Sequence, residues 1–191
     1  MGIKQDLSPK KIAIAGIIFI AGMLFLGGTN SILAYTNTME FCTSCHSMQI
    51  NLEELKETVH YKNASGVQST CADCHVPREF FPKVYAKIMA AKDVYHHLIG
   101  TIDTREKYEA YRWKMANLVW DKMRSNDSRE CRSCHEYQNM DLSEQDRSAR
   151  KKHARAPMGD KTCIDCHAGI AHNEPDEPED EEDAEDEVEK G

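Results

Sequence analysis

The chain has 191 residues, of which 40% are hydrophobic and 29% charged, and it carries a formal net charge of −8. This length allows one domain with accessory segments and excludes several large domains. The basic residues are scattered and the acidic ones are concentrated at the C-terminus, so the composition argues against nucleic acid as a partner.

The N-terminal segment has a basic start followed by a long uncharged run. Residues 1–11 contain three lysines, and no charged side chain lies between Ile12 and Met39. A membrane-spanning helix needs about 20 apolar residues, whereas the apolar region of a cleaved signal peptide usually has about 7 to 15. We therefore predict a transmembrane signal anchor over residues 12–35. Cleavage near Ala34 is the alternative. The lysines place residues 1–11 in the cytoplasm and the rest outside.

Four copies of the pattern Cys-x-x-Cys-His follow, and they use all eight cysteines. Their residues are Cys42, Cys45 and His46; Cys71, Cys74 and His75; Cys131, Cys134 and His135; and Cys163, Cys166 and His167. In this pattern the thiols add to the porphyrin vinyl groups and the histidine binds the iron. A redox dithiol, a zinc site or a disulfide scaffold would not place a histidine after every pair. The sequence therefore predicts four covalently bound haem c groups, matured in the bacterial periplasm.

The rest of the chain shows helical periodicity and few strand-like runs. Helices are predicted over residues 50–60, from Pro82 to Ile99, from a cap at Asp103 or Thr104 to Arg124, and from a cap at Ser143 through His153. The side chains predicted to be buried on the longest soluble helix are Tyr108, Tyr111, Met115, Leu118, Trp120 and Met123. The predicted fold is a mainly α multihaem cytochrome c: one transmembrane helix and a helix-and-loop periplasmic domain, residues 36–172, wrapped around four haems.

The order of motif, free histidine and motif occurs twice. His60 lies between the first two motifs and His153 lies between the last two. We interpret the repeat as two pseudo-symmetric di-haem modules, about residues 40–100 and 126–172, linked by the helix of about residues 103–124.

The histidines outside the motifs are candidates for the far side of each iron, because an electron-transfer haem needs two strong axial ligands. They are His60, His96, His97, His153 and His172. His172 follows His167 by five residues and should serve a neighbouring haem. His96 and His97 are adjacent on a helix, cannot both face one haem, and are best interpreted as ordinary helix residues. Met48 follows His46 by two residues, so either side chain can bind the first iron.

The C-terminal tail, residues 173–191, carries a charge of −11, and the remainder of the chain carries +3. A tail that is acidic and free of aromatic residues is predicted to be disordered. It either adds solubilising charge or attracts a basic redox partner.

From Met1 to His172 the chain resembles the NapC/NirT family of membrane-anchored multihaem quinol dehydrogenases. The segments that carry the likeness are Phe41–Met48, Thr58–Tyr61, Cys71–Pro77, Lys92–Tyr95, Gly100–Thr104, Asn126–Cys131 and Lys161–His172. One departure is Arg78, which stands where relatives often have a histidine after Val76-Pro77.

The resemblance implies the remaining ligands and a quinol site. His60, His153 and His172 would be distal haem ligands, and Met48 can take the place of His46 at the first haem. That haem would lie at the membrane surface. Lys87 and Asp93 stand where relatives place a quinol-contacting lysine and an aspartate over the first haem. Quinol oxidation releases two protons with two electrons, so a proton acceptor is needed there.

The function implied is that of a quinol dehydrogenase or electron-transfer subunit of an anaerobic respiratory chain, in the bacterial inner membrane. Menaquinol or ubiquinol would supply electrons for a periplasmic reductase, and the nearest likeness within the family is to members that feed nitrate reductase. The alternatives are an electron donor to another reductase, such as nitrite reductase, a terminal haem reductase and a haem-based sensor. The sequence contains no Cys-x-x-Cys-Lys motif for a substrate haem and no signalling segment.

Overall fold

The computed structural model describes residues 8–178, and all regular structure in this part of the chain is helical, as predicted. The α-helices are α1 (Pro9–Tyr35), α2 (Met39–Cys42), α3 (His46–Lys56), α4 (Cys71–His75), α5 (Phe80–Leu98), α6 (Arg105–Ser125), α7 (Arg129–Arg132) and α8 (Arg147–Arg155). Short 3-10 turns lie at Tyr137–Asn139, Leu142–Glu144, Ala156–Met158 and Cys163–Asp165.

Helix α1 contains the predicted anchor, residues 12–35. It has 27 residues, a mean hydropathy of 2.3 over its most apolar window, and no buried residue in that window. At about 1.5 Å per residue it is about 40 Å long, which exceeds the hydrocarbon core of about 30 Å. By length and composition, α1 can cross a membrane.

Helices α5 and α6 agree with the sequence prediction. α5 ends at Leu98, and Gly100 follows with a φ of +81°, a conformation that glycine adopts without a steric penalty. Thr104 caps α6 by accepting a hydrogen bond from the Lys107 amide at 3.3 Å. These two helices frame the turn at residues 99–104.

Two shorter helices differ from the prediction at their ends. α3 begins and ends four residues earlier than expected, so that His46 opens it and His60 lies beyond it. The β-branched residues Thr58 and Val59, which have weak helix propensity, follow its end. The cap of α8 is Asp146, whose carboxylate accepts from two amides, instead of Ser143, which lies in a separate turn.

The hydrophobic core of the described residues is small. Its buried members are Ile50, Leu55, Ala86, Ile102, Tyr108, Met123 and Ile164. The prediction of which α6 side chains are buried is only partly right. Tyr111 and Leu118 are 44% and 62% exposed, and Arg112 is buried instead. Arg112 tolerates burial because its guanidinium is paired.

The pairing of Arg112 joins three distant segments. Its Nη2 donates to both carboxylate oxygens of Glu54 on α3, at 2.7 and 2.5 Å, and to the carbonyl oxygen of Asn173 at 3.0 Å. Glu54 in turn accepts from the backbone and side-chain nitrogens of Asn173, at 3.1 and 3.2 Å. The end of the domain is thereby held against α3 and α6.

The start of the acidic tail is described to residue 178, and residues 173–178 form no helix or strand. The disorder predicted for residues 179–191, and the cytoplasmic position predicted for residues 1–7, concern segments outside the described residues.

Replacing Arg112 by leucine should destabilise the domain that follows α1 by about 3 kcal/mol, because it leaves the Glu54 carboxylate buried without its partner. Guanidinium unfolding of the full-length haem-loaded protein, followed by far-UV circular dichroism, measures this loss. Arg105→Leu is the matched control, since its pair with Glu53 is more than 60% exposed on both side chains. The control should cost less than about 1 kcal/mol. Equal losses in the two variants would contradict the importance of the buried pair.

Candidate haem and electron-transfer sites

In three of the four Cys-x-x-Cys-His motifs the residues form a tight helical turn, which places the two cysteines on the same side of the backbone. The second motif is α4 itself, and the fourth begins with a 3-10 turn. In the third, the amides of Cys134 and His135 both donate to the Cys131 carbonyl, at 3.1 and 2.9 Å. The first differs, because Cys42 ends α2 and Cys45 caps α3. A shared side for both thiols fits the attachment of a porphyrin edge.

The second and fourth motifs are stabilised by an identical cap. Asp73 accepts hydrogen bonds from the amide and hydroxyl of Thr70, at 2.8 and 2.7 Å. Asp165 does the same for Thr162, at 2.7 and 3.1 Å. The capping role of Asp73 and Asp165 was not predicted from the sequence. The spacing Thr-x-x-Asp, a variant of the capping box, could have revealed it.

Three of the four motif histidines face a histidine from elsewhere in the chain. The pairs and their ring-centroid distances are His75 with His172 at 6.2 Å, His135 with His60 at 6.1 Å, and His167 with His153 at 5.9 Å. Two collinear metal–nitrogen bonds of about 2 Å, with about 1.1 Å from each nitrogen to its ring centre, require a separation of about 6 Å. The pairs therefore fit a haem iron with two axial imidazoles.

The surroundings of three of these imidazoles favour the neutral form that metal binding requires. Burial lowers the pKa of His75 to about 4, and it also lowers the pKa values of His167 and His172. Within the described residues, the buried Nδ1 atoms of His60 and His172 have no hydrogen-bond partner. A buried nitrogen without a partner is costly unless a bound group uses the ring.

His153 is oriented by a hydrogen bond. Its Nδ1 lies 2.7 Å from Oε1 of Gln145, which leaves Nε2 as the nitrogen available to a metal. Such a bond to the second ring nitrogen is the usual way in which proteins fix a histidine ligand.

The first motif has no such imidazole pair among the described residues. His46 is exposed and Met48 is half-buried, and both lie on the first turn of α3. The Asn51 amide nitrogen is 3.8 Å from the Met48 sulfur. His46 and Met48 therefore both remain candidate ligands of the first iron.

Neither His96 nor His97 pairs with a motif histidine. His96 Nδ1 is 3.4 Å from the hydroxyl of Thr101, at the end of its own helix. His97 has a buried Nδ1 without a partner in the described part of the chain. Neither residue faces a motif histidine, and their interpretation as ordinary helix residues stays a prediction.

The imidazole pairs do not follow the sequence repeat. His153 pairs with a motif of its own repeat, whereas His60 and His172 each pair with a motif of the other repeat. The pseudo-symmetry of two di-haem modules therefore stays a prediction.

Each motif is next to the one that follows it along the chain. Met39, at the start of α2, brings its sulfur within 3.3 Å of the Cys71 sulfur. Arg78 Nη2 lies 3.4 Å from the Cys134 sulfur, and its Nη1 donates to the Ser133 carbonyl at 3.4 Å. Arg78, the residue that departs from the family pattern, thus joins the segment after the second motif to the third motif.

The third and fourth motifs meet at the α6–α7 junction. The buried Ser128, in the left-handed conformation with a φ of +48°, accepts a hydrogen bond from the Ile164 amide at 3.2 Å. Arg124 adds an ion pair with Asp165 at 2.8 Å. The four motifs therefore form a row in chain order.

The row begins at the end of α1. The Cys42 sulfur is 3.9 Å from the carbonyl oxygen of Thr36, the residue that caps α1. Lys87 on α5 donates to the same oxygen at 2.5 Å. Burial lowers the pKa of Lys87. Lys87 therefore lies between the first motif and the membrane end of the domain.

Asp93 does not converge with Lys87 on one point. α5 is continuous between them, so they differ by about 9 Å along the axis and about 120° around it. Asp93 is surface-exposed and makes no hydrogen bond or ion pair with any described residue. Although the residue as a whole is exposed, neighbouring atoms partly bury its carboxyl group. This partial burial raises the pKa of Asp93, against the opposing effects of Lys92, His96 and Lys122. A shared ligand would have to straddle the helix.

Comparisons with known proteins agree with this chemistry. The family model described as the NapC/NirT cytochrome c family, N-terminal region, matches residues 5–177. A protein of Allochromatium vinosum named as a tetraheme cytochrome c type is 61% identical over 84% of this chain and 87% of its own. The cytochrome c-type protein NapC of Escherichia coli K12 is 45% identical over 88% and 86%.

A third relative is the denitrification system component NirT of Stutzerimonas stutzeri, 49% identical over 86% of this chain and 82% of its own. No solved structure matches the chain. The matched length, the identities and the four motifs agree, and the chain belongs to the NapC/NirT family of c-type cytochromes.

Proposed function

We propose that the protein is a membrane-anchored tetrahaem cytochrome c that oxidises membrane quinol and passes electrons to a periplasmic reductase, with nitrate reductase as the favoured acceptor. The observation that carries this proposal is the row of four motifs that begins at the end of α1 and contains three imidazole pairs. The relatives named NapC support the acceptor, and the relative named as a tetraheme cytochrome supports the haem count.

The imidazole pairs support an assignment of the distal ligands. His172 serves the second haem, His60 the third and His153 the fourth, each opposite its motif histidine. The first haem is held by Cys42 and Cys45, with Met48 or His46 as its axial ligand. Haem c, when bound, supplies an iron that accepts and releases one electron. With haem bound, imidazoles would lie on both sides of three irons, which would suit electron transfer and close those irons to substrate.

The membrane end of the row is the proposed site of quinol oxidation. Lys87 is near the first motif and near the Thr36 carbonyl, where a quinol head group leaving the bilayer would meet the protein. The lowered pKa of Lys87 and the raised pKa of Asp93 both move towards neutral pH, so each side chain becomes a better participant in proton transfer. Lys87 orients a quinol hydroxyl, and Asp93 accepts a proton on the other side of α5.

Helix α1 supports the proposed anchor and its orientation. Two lysines, Lys10 and Lys11, lie in its first turn, and all four motifs lie beyond its other end. The positive-inside rule then places the haem domain on the periplasmic side of the inner membrane. Residues 36–172 form this domain, and cleavage of the anchor would release it.

The second candidate is an electron donor to another periplasmic reductase, and the relative NirT, a denitrification component, favours it. Electron entry would be the same, and only the acceptor would differ.

The proposed function is tested with the full-length protein in non-ionic detergent. A menaquinol analogue should reduce the haems, and periplasmic nitrate reductase with nitrate should reoxidise them, as followed by haem absorbance. Nitrite added alone should leave the haems reduced. Turnover of nitrite without a partner, combined with no reduction by quinol, would show that the protein is a terminal reductase. Reoxidation by nitrite reductase but not by nitrate reductase would select the second candidate.

Replacing His172 by alanine should convert one of four haems from low spin to high spin, because the second iron loses its distal imidazole. Electron paramagnetic resonance counts the low-spin haems, and the pyridine haemochrome assay checks that four remain attached. His96→Ala is the control and should leave the count unchanged. An unchanged count in the His172 variant removes this residue from the ligand set.

Replacing Lys87 by alanine should slow quinol oxidation by about 100-fold at unchanged haem content, because a group that moves or orients a proton is lost. Lys87→Arg separates this role from structure, since arginine can still donate to the Thr36 carbonyl but cannot lose a proton. Lys83→Ala, one turn earlier on α5, is the control. Stopped-flow reduction by a quinol analogue measures all three variants. A wild-type rate in Lys87→Ala would count against the site.

A further inference from the structure

Helix α8 has an unusual charge. Five of its nine residues are arginine or lysine, and none is acidic. The helix also carries His153, which pairs with the fourth motif histidine. The most basic helix of the described domain therefore lies directly over the last site of the row.

Most cations of α8 form no ion pair with the described residues, unlike the arginines of α6 and α7. All five arginines of α6 and α7 form ion pairs. On α8, only Arg150 is engaged, through two backbone carbonyls, and Arg147, Lys151, Lys152 and Arg155 form no ion pair with any residue in 8–178. Unpaired cations at this density produce a positive field over the helix.

Three of these residues form a stripe. Arg147, Lys151 and Arg155 are four residues apart, so they share one face of the helix, and all three are exposed. His153 lies about 160° from Lys151 around the axis, and its ring is half-buried. The stripe thus faces solvent while the ligand faces inwards. Like charges at this spacing destabilise a helix, so the stripe does not contribute to the stability of α8.

We propose that the stripe of Arg147, Lys151 and Arg155 is a docking surface for an acidic face of the electron-accepting protein. The proposal rests on the proposed function, because it takes the fourth motif as the exit of the row. A partner seated on α8 would be separated from the His153 side by about 10 Å, the diameter of one helix. Complementary charge steers such encounters and accelerates them at low salt.

The test measures electron transfer from the reduced full-length holoprotein to two proteins of opposite charge. Dithionite reduces the haems, so the result does not depend on quinol oxidation. The acceptors are plastocyanin, an acidic blue-copper protein, and mitochondrial cytochrome c, a basic one. Stopped-flow mixing over a range of ionic strengths gives the bimolecular rate constants.

The variant is Lys151→Glu/Arg155→Glu, and the matched control is Lys56→Glu/Lys62→Glu, which changes the net charge equally at exposed positions on another part of the domain. At low salt the α8 variant should slow transfer to plastocyanin by about tenfold and flatten its salt dependence. The control should change it by less than about twofold, because distant surface charges are screened. Transfer to cytochrome c should not slow in either variant.

Equal slowing in the variant and the control would show an effect of net charge alone and would overturn the proposal. A shifted midpoint potential of one haem, with an unchanged rate to plastocyanin, would show that the cations serve the haem itself. A protein lacking residues 179–191 gives a further comparison. If the α8 substitutions slow electron transfer to plastocyanin only in this shortened protein, the acidic tail occupies the stripe and the proposal is wrong. Failure of quinol to reduce the wild type would affect only the proposed function.

Discussion

The ion pair between Glu54 and Arg112 is the contact on which the arrangement of the last ligand depends. The two side chains come from helices that follow the first motif and precede the third, and both bind Asn173. Asn173 is the neighbour of His172, whose ring stands opposite His75. A buried ion pair contributes little net stability compared with an apolar contact of the same size, but its geometry is strict. It fixes the position of the segment that contains His172, the candidate distal ligand of the second iron.

Local features of the fold could be predicted from the sequence. The turn at Gly100 and the cap at Thr104 predicted where α5 ends and α6 begins, whereas the haem attachment sites indicated by the motif spacing stay a prediction. Both depend on residues within one or two turns of each other. The predicted ends of α3 were wrong because hydrophobic periodicity does not reveal that the helix ends at Lys56.

Long-range features could not be predicted in the same way. The burial of Arg112 depends on a carboxylate 58 positions away, so the hydrophobic periodicity of α6 did not indicate it. The histidine pairs are also tertiary contacts. The resemblance to the family supplied the names of the three distal candidates, but the motif that each one faces is visible only when the segments are placed together.

The exchange of histidines between the two repeats has a consequence for folding. His60 of the first repeat faces the third motif, and His172 of the second repeat faces the second motif. If iron joins each pair as proposed, two coordination links cross the boundary between the repeats in opposite directions. Neither repeat could then complete both of its haems alone. The periplasmic domain would have to assemble as one unit, with α6 and the Glu54–Arg112 pair as the protein contacts that bring its halves together.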